Sequence, residues 1–165
     1  MIESFFSKFN KYLIIFLLLY LSLVFGFFID ENLNFGAIED WLRTDKPVIE
    51  ALSKDFKKTL LSYESFGHRH SPFYLIFLSF FHKLGFSLDI IRFLHLNFSI
   101  LLIYFFYKCL TLKFNHIDKN ILLLVSFSLF LSPTFRSLSI WPSTRIIGTI
   151  FFVISIYEFL KYQKF

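Results

Sequence analysis

Two adjacent carboxylates, Asp30 and Glu31, follow directly on an apolar run that ends at Phe28. Acids at that position sit near the headgroup plane of a membrane. One could take a proton from an acceptor hydroxyl as general base, or the two could hold a divalent cation such as Mg or Mn. Spacing alone favours the plainer reading, in which two acids end a helix and solvate a loop.

A second group lies at Gly67-His68-Arg69-His70-Ser71-Pro72-Phe73-Tyr74, where two imidazoles and a guanidinium precede a helix start. First-turn N–H groups, the helix dipole and Arg69 with His70 together favour an anion such as a phosphate. Zinc on His68 and His70 is the weaker reading, because spacing supplies no third ligand. Arg92, His95 and Ser99 fall at i, i+3 and i+7 on one helical face. Ionisable groups inside an apolar helix are expensive, so this face is expected to turn to the bundle interior or a wet cavity. The segment from Ser132 to Arg145 adds Arg136 and Arg145 without a carboxylate of its own, either to grip a phosphate or to anchor lipid headgroups. Glu158 is expected to pair with Lys161 at i+3.

These groups need a membrane scaffold. The 165 residues are 56% hydrophobic and include 27 phenylalanines, more apolar surface than a soluble core of this size can hide. A mean hydropathy of +0.62 beside 18% charged residues requires charges grouped between apolar runs. The net charge of +5 mostly flanks those runs, which points to topology control and away from nucleic acid. Cys109 is the only cysteine, which excludes an intrachain disulfide. Lys8 and Lys11 precede the first apolar run and no small-residue cleavage site follows it, as in an uncleaved signal anchor.

The expected fold is an all-α integral membrane protein, one domain over residues 1–165. About four transmembrane helices are placed at 12–28, 90–110, 121–138 and 146–160, with a long outer loop at 29–89. Residues 12–28 rise about 26 Å, just enough to cross. In the loop, Asp45 can cap an amphipathic helix with Pro47 in its first turn and Val48, Leu52, Phe56 and Leu60 on one face. Ser71 can cap a helix from Pro72 to Leu84, whose apolar run is too short to cross and reads as half-inserted or surface-lying. Trp141, Tyr157 and Tyr162 fall at span ends, where aromatic belts are expected.

Four spans put Lys8, Lys11, Lys108, Lys113, Lys119, Lys161 and Lys164 on the inner side, against Lys83, Arg92, Arg136 and Arg145 outside. Five spans give a nearly even split, so the length of the 72–84 helix carries the choice. The expected setting is a bacterial inner (plasma) membrane, N-terminus cytoplasmic and polar clusters outside.

An acidic pair after the first span, a long amphipathic outer loop and His70-Ser71-Pro72-Phe73-Tyr74 opening a short apolar helix together resemble the membrane glycosyltransferases of the GT-C fold. The branch in question is that of protein mannosyltransferases and lipid A aminoarabinose transferases. The resemblance maps the family's catalytic acid onto Asp30 and Glu31, and the arginine after its outer helix onto Arg92. His70-Ser71-Pro72-Phe73 matches the family's His-Pro-Pro-Leu-like motif in two of four residues. A second acid after the third span is missing here, where Trp141-Pro142-Ser143-Thr144 stands. Family members have more spans, so the chain is expected to be the N-terminal part of a larger fold. The resemblance implies an inverting transferase that moves a sugar from a polyprenyl-phosphate donor to an extracytoplasmic glycolipid, polysaccharide or protein. Asp30 would be the base, Glu31 would orient it, and Arg69, His70 and Arg92 would meet the departing phosphate. The competing readings are a non-catalytic subunit or scaffold that retains this module beside a partner membrane subunit, and, third, a small transporter component.

Overall fold

The computed structural model describes residues 2–33, 35–67 and 70–163, with residues 2–10 and 35 as backbone only. Every regular element among those residues is helical. Helix α1 (Ile2–Phe28) is followed by α2 (Phe35–Asp40), a π-helical turn (Trp41–Asp45), α3 (Lys46–Lys54), α4 (Phe56–Leu61) and a 3-10 turn (Tyr63–Phe66). Then come α5 (Phe73–Lys83), α6 (Leu88–Lys113), α7 (Lys119–Phe127), a 3-10 turn (Ser128–Leu131), α8 (Pro133–Ile140) and α9 (Thr144–Tyr162).

Two helical stretches, Lys11–Phe28 and Leu88–Lys113, are long and apolar enough to cross a membrane. A third qualifies if Lys119–Leu131 and Pro133–Ile140 are one span, but the two halves bend by 66°. The continuous helix expected at 121–138 is therefore broken. Pro133 cannot donate to the preceding turn, and Ser132 adopts an extended conformation with its hydroxyl accepting from the Phe135 N–H at 3.3 Å, which starts a new helix. Helix α9 has 19 residues, with Arg145 near one end and Glu158 and Lys161 near the other, so its uncharged part runs only from 146 to 157. The short α5, at 11 residues, agrees with a helix that does not cross.

Helices α6 and α9 make the most extensive pairing of the bundle, with Phe105 against Tyr157 and the Cys109 thiol against the Val153 carbonyl. Lipid removes the hydrophobic drive between helices, so close packing must do the holding. Ser99, Ser126, Ser137 and Ser139 are fully buried. Ser99, Ser126 and Ser139 each return the hydroxyl to a carbonyl of their own helix, at 2.6 to 2.9 Å. Phe130, Leu23, Leu96 and Ile140 fill the space between the helices, and the Tyr20 hydroxyl ties α1 to Asn97 of α6 at 2.9 Å.

The outer loop departs from the expected single amphipathic helix. Asp45 has helical dihedrals and no capping bond, because the π-helical turn runs straight into α3. The helix breaks instead at Asp55, whose extended backbone and carboxylate, accepting from the Lys58 N–H, cap α4. Val48 and Leu52 are buried while Phe56 and Leu60 are exposed, so the four residues do not share a covered face. Ser71 is not the residue flanking α5, although its hydroxyl accepts from the Phe73 N–H at 3.4 Å. Ser87 does cap α6, accepting from the Ile90 N–H after the positive-φ turn at Gly85.

Candidate functional site

The end of α1 separates the two acids. Asp30 has φ of +52°, its N–H bonds the Phe27 carbonyl at 3.3 Å, and the Glu31 N–H bonds Gly26 at 2.8 Å. This is a Schellman turn with an aspartate in the left-handed position that glycine usually takes. The reversal sends Asp30 toward α6 and Glu31 toward α8.

Arg92 of α6 donates to Asp30 Oδ1 at 2.7 Å and, more weakly, to Asp89 Oδ1 at 3.3 Å. Its guanidinium lies 3.9 Å from the Trp141 ring centroid and 5.0 Å from that of Phe27, so it is held between aromatic faces. The arginine side chain is 10% exposed, the Asp30 side chain 62%. Arg92 Nε is buried without a partner. A cation is thus anchored inside, and its carboxylate reaches solvent.

Glu31 is bound differently. Arg136 donates through Nε to Oε1 and through Nη2 to Oε2, both at 2.6 Å, with the side chains 11% and 14% exposed. The remaining Arg136 N–H groups reach Ser22 Oγ, the Ser22 carbonyl and the Phe130 carbonyl. Every donor of this guanidinium is used. Trp141, expected in an aromatic belt, is buried and donates its indole N–H to the Glu31 carbonyl at 3.0 Å, while the Leu33 N–H bonds Ser137 Oγ at 3.1 Å. Arg136 is therefore fully engaged in joining α1 to α8, which leaves it no donor for a phosphate.

His70 and Arg145 meet in another place. They line a pocket of about 220 Å³ with Asp40, Thr44, Asp45 and Ser143, and Asp30 is not among its walls. Arg145 donates to Asp40 Oδ2 at 2.7 Å, a half-exposed pair. The Tyr63 hydroxyl donates to the His70 carbonyl at 2.9 Å; burial, and then the nearby Asp45 carboxylate, push the Tyr63 phenol up to about 12. Arg69 and His68 lie outside the described residues.

The buried face expected on α6 is present, with His95 and Ser99 fully enclosed. His95 Nε2 lies 2.8 Å from the Leu138 carbonyl, so Nε2 carries the proton and Nδ1 accepts from the Tyr74 hydroxyl. The pair locks α5 and α8 to α6.

The acidic pair does not fit a divalent cation. Both Glu31 oxygens are taken by Arg136, Asp30 already faces a guanidinium, and among the described residues no three His, Cys, Asp or Glu side chains gather as a ligand set. Sequence reasoning missed Trp141, Asp40 and Asp89 as partners of the arginines. Asp89 was the accessible one, at i−3 from Arg92 on the same helix. No protein-family model, curated protein or solved structure matches this chain.

Proposed function

We propose that this chain is a glycosyltransferase-like membrane protein that transfers a sugar from a polyprenyl-phosphate donor to an extracytoplasmic acceptor. In this reading α1, α6, the bent α7–α8 segment and α9 give four crossings of a bacterial plasma membrane, with Asp30 on the outer side. The observation that carries it is Asp30 itself, an exposed carboxylate at the end of a membrane-length helix, gripped through one oxygen by a buried arginine.

The chemistry follows from that grip. With Oδ1 held by Arg92, the other Asp30 oxygen takes the proton of the acceptor hydroxyl as the acceptor oxygen bonds to the anomeric carbon, and the bond from that carbon to the donor phosphate oxygen breaks. Inversion needs attack and departure on opposite faces of the sugar. Arg92 touches the base, so it acts on the base's side as a positioning residue. Glu31 holds the end of α1 through Arg136.

Asp30→Asn keeps a side chain suited to the left-handed turn and removes the base. Transfer from a polyprenyl-phosphate sugar in membranes should then be lost with insertion unchanged, and retained transfer would reject the assignment. The three carboxylate–guanidinium contacts at Asp30, Glu31 and Asp40 favour a second reading, a non-catalytic subunit in which they serve only to brace helices. In that case a partner membrane subunit would need this chain for activity and tolerate Asp30→Asn.

A further inference from the structure

The polar pocket at His70 and Arg145 is continued along the same two elements by an apolar groove. The start of α9 offers Thr144 and Arg145 to the pocket, with Ser143 just before it, and the helix offers Ile147, Ile150 and Ile154 to the groove; the α5 side offers His70 to the first and Phe73 and Phe77 to the second. Thr144 of the pocket and Ile147 of the groove are three residues apart on one side of the helix, about 4.5 Å along it at 1.5 Å per residue. The groove holds about 350 Å³ between α5, α6 and α9, and its walls are entirely apolar. A ligand filling both would be hydrocarbon at one end and polar at the other, within a bundle that presents apolar helices to lipid.

The charges select the head. Among the described residues, Asp40 and Asp45 set two carboxylates against the one guanidinium of Arg145, so a bare phosphate would face more negative than positive charge. An ammonium and a phosphate in one head group match both signs. The Asp40–Arg145 pair is nearly half exposed, and such pairs are worth little, so exchanging each partner for the opposite charge of a ligand costs little. We infer that this two-part cavity binds a phospholipid with a primary ammonium and a phosphate in its head, of the phosphatidylethanolamine kind. The ammonium lies on Asp40, the phosphate on Arg145 and Ser143, and one acyl chain lies in the groove. The inference does not depend on the glycosyl-transfer reading, since Asp30 lines neither cavity.

The test is thermal stabilisation of the purified full chain in mild detergent, titrated separately with phosphatidylethanolamine, phosphatidylcholine, phosphatidylglycerol and a polyprenyl phosphate. Phosphatidylethanolamine should bind most tightly. Asp40→Asn should cut its preference over phosphatidylglycerol about tenfold, the worth of one charge-assisted hydrogen bond. Leu101→Trp, at a half-exposed wall of the groove, should weaken all the acylated lipids together. Equal binding of the phospholipids, or preference for phosphatidylglycerol or the polyprenyl phosphate, would overturn the inference. These wild-type comparisons decide it even if a variant fails to fold.

Discussion

Glu31 and Arg136, separated by 105 positions in the chain, form a two-bonded ion pair with both contacts at 2.6 Å and little exposure of either side chain. A carboxylate and a guanidinium lose much of their hydration in such a place, and the geometry recovers it only while both are present. Truncating either one, as Glu31→Ala or Arg136→Ala, is expected to destabilise the protein by about 3–5 kcal/mol. The double variant Glu31→Gln with Arg136→Met should lose less than either truncation, as measured by unfolding in detergent. Losses that simply add would show that the two groups are not coupled.

Gly26 makes this pair sterically possible. A Cβ there would lie 2.5 Å from Glu31 Oε2 and 3.0 Å from Arg136 Nη2. Gly26→Ala is therefore expected to cost about 1–3 kcal/mol, although alanine is the better helix former. In a background carrying Glu31→Ala and Arg136→Leu the same substitution should reverse sign and stabilise by about 1 kcal/mol. The same unfolding measurement checks both signs.

Tyr63 gives the outer loop a dependence on alkaline pH. Its folded-state phenol is raised from 10.0 to about 12, so the folded protein holds this proton more tightly than the unfolded one. The stabilisation is complete below pH 10 and disappears as pH rises toward 12. Tyr63→Phe should flatten that loss, and a stability profile from pH 8 to 12 that is unchanged by the substitution would contradict it.

The side of the membrane reached by the α6–α7 turn can be read chemically. In a variant with Cys109→Ser, Asn115→Cys should resist impermeant thiol reagents added outside intact cells and react once the membrane is opened. Immediate labelling would place that turn outside and support the five-span order.

The helices were legible in the sequence wherever composition alone decides. The Tyr12–Phe28 and 90–110 spans lie within α1 and α6, and the shortness of the 73–83 run correctly limited α5. The face of Arg92, His95 and Ser99 was readable from the 3.6-residue period and is buried. Long-range pairing was not. Nothing in a segment holding Arg136 and Arg145 without an acid indicates that Glu31 and Asp40 will close on them, because those contacts depend on a chain reversal at Asp30 and a bend at Pro133. The same reversal splits Asp30 from Glu31, which adjacency in sequence had treated as one site. The π-helical turn at 41–45 likewise runs straight into α3, so Asp45 stands inside a helical stretch already under way from α2 and caps nothing.

The left-handed turn at position 30 also sets which variants a genetic screen can recover. Few residue types tolerate φ of +52°; glycine, asparagine and aspartate are the natural occupants, and only the last carries a charge. A library at this codon selected for membrane accumulation should return all three. Selected for sugar transfer, it should return aspartate alone, so the spectrum of survivors distinguishes a requirement of the backbone from one of the chemistry.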